Sequence, residues 1–149
     1  MTPSLPCMCA TLRRASRALT QAYDAAFRPL GLRATQFTVL QALSLAGEVS
    51  QGALGRMLAM DSTTLTRTLR IMRRHGWIEQ RPGRDRRARL VRLARAGERE
   101  LQRALPRWEQ VQDRLHQFLG QARWNELLDG TNALTDVLTN STQEKEKLS

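Results

Sequence analysis

The stretch from Asp61 to Arg92 constrains the fold most, because its pattern turns from helical to extended across a single glycine. It opens Asp61-Ser62-Thr63-Thr64-Leu65-Thr66-Arg67. Asp61 or Ser62 can cap a helix there by accepting a hydrogen bond from a backbone N–H that has no partner inside the helix. Leu65, Leu69 and Met72 recur at helical spacing and mark a stripe that faces a core. Gly76, after Arg73-Arg74-His75, stands where a helix stops. Trp77-Ile78-Glu79-Gln80-Arg81 and Arg89-Leu90-Val91-Arg92-Leu93 then have strand character. The turn between them, Pro82-Gly83-Arg84-Asp85-Arg86-Arg87-Ala88, is loaded with arginine.

Off the apolar stripe lie Ser62, Thr63, Thr64, Thr66, Arg67, Arg70, Arg73 and Arg74. Short donors and long cations suit base edges and phosphates. A helix followed by a two-stranded hairpin with a cationic tip is a winged helix-turn-helix. The helix enters the major groove, and the tip (Arg84, Asp85, Arg86, Arg87) reaches the neighbouring backbone or minor groove. Ser50 and Gln51, at the start of the preceding helix, complete the expected DNA-binding set. Charge agrees: of the formal +10, +9 falls between Arg67 and Arg99, where twelve arginines stand against Glu79, Asp85 and Glu98. A merely solvated face mixes signs, whereas this concentration favours a polyanion. A membrane surface would prefer a basic amphipathic helix with exposed bulky apolar residues, which the segment lacks.

The remaining chain reads as helices. Leu12, Ala15, Leu19, Ala22 and Ala26 form a stripe from about Met8 to Arg28, which Pro29 and Gly31 end. Thr35 is the expected N-cap of a second helix whose Phe37, Leu40 and Leu43 face inward as far as Gly47. Ser50 caps a short third helix carrying Leu54, Met57 and Leu58. It forms a helix-turn-helix pair with the helix that Asp61 opens. Beyond the hairpin a long pattern spans Ala94 to Leu119, with a kink expected at Pro106, and Gly120 breaks it. Trp124, Leu127, Leu128, Leu134 and Val137 mark the last helix. The predicted fold is mainly α with a small β-hairpin, one domain over 1–149. Residues 33–94 form the winged helix-turn-helix, residues 1–30 and 97–140 a helical dimerisation region, and 141–149 a disordered tail. Apolar stripes outside the winged helix need cover, and a second copy of the chain supplies it, matching two half-sites.

On these residues the chain resembles the MarR (multiple antibiotic resistance) family of bacterial transcriptional regulators. The resemblance runs from the first helix to the last. It is most specific over Met60 to Arg67, Gly76-Trp77-Ile78, the wing run Arg84-Asp85-Arg86-Arg87, then Val91, Leu93 and Gly97. Ala94 stands where the family usually has threonine. The resemblance implies a two-fold dimer held by the first and last helices, and a wing in which Asp85 orients Arg87 toward a narrow minor groove. Arg84 and Arg86 serve either phosphate attraction or base reading. The run Cys9 to Arg17 is similar to the first helix of the organic hydroperoxide-sensing branch, which implies a peroxide-reactive thiol at Cys9 assisted by Tyr23. Arg13 and Ala34 stand where that branch carries further tyrosines. Tyr23 lies roughly 21 Å along one helix from Cys9, so its help would come from the partner's first helix.

The expected function is a dimeric, sequence-specific DNA-binding regulator. It would be a repressor released by a small-molecule effector or by oxidation at Cys9, with Cys7 as neighbour or disulfide partner. Its partner is double-stranded DNA with a pseudo-palindromic site. A non-specific nucleoid-type nucleic-acid-binding protein is the alternative. Cys9 as a small packing residue is the bland reading of that thiol. Cys7 and Cys9 as metal ligands would need more partners, and His75 and His116 are the only imidazoles. No phosphate loop, metal-binding histidine pattern or nucleophile elbow points to an enzyme or to a cofactor. The N-terminus reads as no signal peptide and no stretch is long enough to span a bilayer, so a cytoplasmic location is expected.

Overall fold

The computed structural model describes residues 6–85 and 87–147, with side chains through residue 140. Helix α1 (Met8–Phe27) passes through a short 3-10 turn (Arg28–Leu30) into α2 (Ala34–Ala46). Strand β1 (Val49–Ser50), α3 (Gln51–Met57), α4 (Ser62–Arg74), β2 (Ile78–Pro82) and β3 (Arg89–Leu93) follow. Two long helices, α5 (Arg95–Leu119) and α6 (Gln121–Lys147), complete the chain.

The inward stripes of α2 and α4, with Leu54 and Val91, form one core that also takes in Phe27, whereas the stripes expected on the first and last helices stay outside it. Phe27, Leu40, Leu43, Leu54, Leu65, Leu69, Met72 and Val91 are all buried in it. An aromatic column ties the helices together: Phe27 stacks on Phe37 at 4.8 Å, and Phe37 on Trp108 at 6.2 Å. Such pairs add roughly 0.5–1.5 kcal/mol each beyond the area they bury. Gln36 and Glu100 are the buried polar side chains among the described residues; Glu100, 6% exposed, accepts through Oε2 from Arg103 at 2.8 Å and leaves Oε1 without a hydrogen bond.

Four local readings change. Helix α2 begins one residue before Thr35, with Arg33 as the extended N-cap. The reason is Asp24 on α1, whose Oδ1 accepts from the Ala34 N–H at 2.7 Å, while Gln36 Oε1 accepts from the Arg33 N–H at 2.9 Å. A carboxylate supplied by another helix replaces the local hydroxyl cap. Of the apolar residues expected on α3, Leu54 is buried while Met57 is 53% exposed. A third strand, β1, joins the hairpin in the order β1-β3-β2, with Val49 opposite Val91. Two residues are too few to show an alternating pattern. The backbone of α6 stays helical to Lys147, where the sequence pattern ended the helix at Asn140; residues 148 and 149 of the expected tail lie outside the described residues.

Helix α5 continues through Pro106 and starts hard against the hairpin. The Trp77 carbonyl accepts from the Ala94 N–H at 3.0 Å, and a Cβ on Gly97 would overlap that same carbonyl and crowd Leu93. Only glycine lets the first turn of α5 approach the strand so closely. Gly97→Ala is therefore expected to cost about 1–3 kcal/mol, as overpacking against backbone typically does. Urea unfolding reads this directly, and an unchanged midpoint would contradict the close packing of α5 on the wing.

Candidate nucleic-acid interface

Helix α4 is held at its first turn by Asp61. Its Oδ1 accepts from the Thr64 N–H at 2.8 Å, and its Oδ2 from the Thr64 hydroxyl at 2.6 Å. These bonds, the hydroxyl first and the amide second, pull the Asp61 carboxyl below its ordinary value. Ser50 does the same service for α3, accepting from the Ala53 N–H at 3.1 Å. The turn between the two helices places Ala59 in the left-handed region, φ 48°. There the Met60 N–H donates to Gly55 O at 2.9 Å and closes the end of α3. Gly76, φ 71°, ends α4 as expected.

With Leu65, Leu69 and Met72 turned inward, the polar faces of α3 and α4 and the wing bound one open cleft of about 1610 Å³. Of the sequence-predicted residues, Ser50, Gln51, Ser62, Thr66, Arg70, Arg73, Asp85 and Arg87 line it. Thr63, Thr64, Arg67, Arg74 and Arg84 are exposed but lie outside that lining. Ser50 and Thr64 are engaged in capping, so their free hydroxyl chemistry is reduced. Arg86 lies outside the described residues.

The wing is shaped by its aspartate. Asp85 Oδ1 accepts from the Arg87 backbone N–H at 3.0 Å, and the Gly83 N–H donates to Ala88 O at 2.7 Å. Asp85 thus holds Arg87 through the main chain. The charges divide by position. Arg81 is paired with Glu48, and Arg92 with Glu79 at 2.6 Å. That pairing lowers the Glu48 carboxyl and raises the Arg81 guanidinium. Arg67, Arg70, Arg73, Arg74, Arg84 and Arg87 have no ion pair among the described residues.

Among the cleft residues outside the sequence-predicted set, Arg56, Arg89 and Gln80 carry long polar side chains. Arg89 belongs to the counted arginine excess. Arg56 and Gln80 carry no local signal, since only the packing of α3 on the sheet brings them to the same face. Leu138, Thr139 and Asn140, from the far end of α6, also reach the cleft, which the pattern of that helix could not indicate.

Residues 30–88 match the MarR family. The transcriptional regulator MosR of M. tuberculosis, in its crystal structure with DNA, is 36% identical, with a TM-score of 0.81 over 91% of this chain and 98% of that one. The chain belongs to the MarR family. As a MarR-family chain it is a transcriptional regulator with a winged-helix fold. The HTH-type transcriptional regulator YwoH of Bacillus subtilis (strain 168) is 28% identical over 89 residues. That match spans 60% of this chain and 65% of that protein's length. The reduced form of E. coli MarR, 22% identical, shares the fold with a TM-score of 0.70 over 89% of this chain and 98% of that one. Among the described residues no helix is long and apolar enough to cross a membrane.

The Asp61 cap gives this MarR-family chain a stated pH dependence. The folded carboxyl sits below its unfolded value, so its stabilisation is complete above about pH 4 and is lost as pH falls through the folded value. Asp61→Asn keeps an acceptor for the Thr64 N–H and removes the titration. Urea unfolding of both proteins from about pH 6 to pH 3 is expected to show the parent's advantage shrinking as pH falls. A gap that stays constant would mean that Asp61 does not carry it.

Proposed function

We propose that this protein is a dimeric, sequence-specific DNA-binding regulator that acts as a repressor and is released by an effector or by thiol oxidation. The observation that carries the reading is the set of unpaired arginines on α4 and the wing around one open cleft, beside wing arginines that are paired. Unpaired guanidiniums keep their donors for phosphates and guanine edges at no cost of breaking internal ion pairs. The MosR relative, crystallised with DNA, supports it. In this reading α4 enters the major groove, with Arg67 and Arg70 toward base edges, and Arg87 reaches the minor groove.

The two contacts fail in different ways. Arg67→Ala is expected to cost on the order of 1–3 kcal/mol of binding and to relax preference at particular bases. Arg87→Ala is expected to weaken binding across sequences and to lower the salt slope by about one. Titration of labelled duplex at several salt concentrations distinguishes them. Unchanged affinity for both variants would refute the groove assignment.

Residues 1–30 and 97–140 form the dimer contact in this reading, with 33–94 as the reading head. Apolar side chains on α1, α5 and α6 stand open in a single chain, among them Phe118, 86% exposed, and Val137, 63% exposed. A partner's identical surface would cover them. Cys9 and Cys7 are free and exposed at the start of α1. Attack of the Cys9 thiolate on a hydroperoxide breaks its O–O bond. The sulfur becomes a sulfenic acid, and the departing oxygen leaves as an alcohol after taking a proton. Tyr23, whose hydroxyl burial raises above its ordinary pKa, would lie near the thiol only across the dimer. Sedimentation should give a mass near twice the 16.9 kDa of the chain. Within that dimer, Cys9→Ser should bind DNA as the parent does yet stay bound under mild peroxide. A folded monomer with full affinity would overturn the dimer, and release of Cys9→Ser like the parent would overturn the thiol role.

A further inference from the structure

Three side chains on three elements form a hydrogen-bonded chain along the cleft. Gln80 on β2 donates from Nε2 to Gln51 Oε1 at 3.4 Å. Gln51, the first residue of α3, donates from Nε2 to Thr66 Oγ1 on α4 at 2.9 Å. Gln80 and Gln51 are half-buried, Thr66 is exposed, and all three line the cleft.

A carboxamide has one accepting end and one donating end, and Gln51 uses both inside the protein. A hydroxyl has one hydrogen and two lone pairs. Because Gln51 occupies a lone pair of Thr66, the Thr66 hydrogen remains to be offered outward. Its neighbours on α4 differ. Thr64 gives its hydroxyl hydrogen to Asp61 Oδ2 and Thr68 gives its own to Thr64 O. Thr66 accepts instead.

We propose that Gln51 and Gln80 set the hydrogen-bond polarity of Thr66, and through it the kind of base edge that α4 selects. Thr66 donates, so it favours an acceptor in the major groove: guanine O6 or N7, adenine N7 or thymine O4. The exocyclic amino groups of cytosine and adenine can meet only the second lone pair of Thr66 and leave its hydrogen unused, so they rank below acceptors at that position. Gln80 is a positioning residue that acts through Gln51 without touching DNA. This inference rests on the proposed DNA-reading function and names a determinant of its specificity.

The relay is reversible in a defined way. If Gln51 turned its amide over, Oε1 would accept the Thr66 hydrogen and Thr66 would present lone pairs outward. Gln80→Glu imposes that state, because a carboxylate only accepts and Gln51 must then donate to it. Gln80→Leu breaks the relay without adding charge and leaves the Gln51 amide free to turn. Thr66→Val keeps the shape and removes the hydroxyl.

The test is selection of bound duplexes from a random pool by the full-length parent, Gln80→Glu, Gln80→Leu and Thr66→Val, with thermal melting of each protein alongside. The parent is expected to enrich an acceptor-presenting base at one position of the half-site. Gln80→Glu should shift that position toward an amino-bearing edge by roughly fivefold to tenfold, while the other positions stay as they are. Gln80→Leu and Thr66→Val should lose preference there alone. A merely structural role for Gln80 lowers affinity or melting temperature and leaves the selected base unchanged, and that result overturns the proposal. Parental preference retained by Thr66→Val overturns it equally, and if Gln80→Glu does not fold, parental preference retained by Gln80→Leu does so. A parent that enriches no site at all would overturn the DNA-reading function itself, a failure visible before any variant is compared.

Discussion

The reading surface depends on the burial of one apolar stripe. Leu65, Leu69 and Met72 on α4 are each sealed in the core, so α4 has a single rotational setting. Apart from Ile71, the residues off that stripe are hydroxyls and arginines, and most of them are thereby committed to solvent. Rotating the helix to hide the arginines would expose three large apolar side chains at roughly 1.5–3 kcal/mol each. Burial thus fixes which chemistry faces outward, and the Asp61 cap fixes where the helix begins.

Much of this was legible because the signals are local. The Asp61 cap, the Gly76 stop and the strand runs on either side of the arginine turn each lie within a few residues of what they control. The family signature in the wing reinforced them. What escaped depends on contacts between distant segments. Asp24 displaces Thr35 as the effective cap of α2 from ten residues away in sequence. Strand β1 exists because β3 offers a free edge beside Val49 and Ser50. At the interface the arginine set was readable from charge, but not its division into paired and unpaired members. That division follows from Glu48 and Glu79 lying across the sheet from Arg81 and Arg92. The Gln80–Gln51–Thr66 relay joins residues as many as 29 positions apart and had no sequence signal.

The wing and α4 are linked mechanically. Gly97 lets α5 seat against the Trp77 carbonyl, so the hairpin is anchored to the helix that leads away toward the proposed dimer contact. Trp77 also stacks on His75 at 4.4 Å, at the end of α4. A displacement of α5 would therefore reach both the wing and the end of α4. In the proposed dimer, that would give an effector or an oxidised thiol a short route to the spacing of the two heads.

The most direct measurement is a competition titration. A duplex selected from random sequence is set against a shuffled duplex of the same length and composition, at physiological salt and at several higher concentrations. Sequence-specific reading predicts that the selected duplex binds at least about a thousandfold more tightly, with both affinities falling steeply as salt rises. Equal affinity for the two duplexes would contradict a specific regulator and leave only non-specific attraction of the arginine face for nucleic acid.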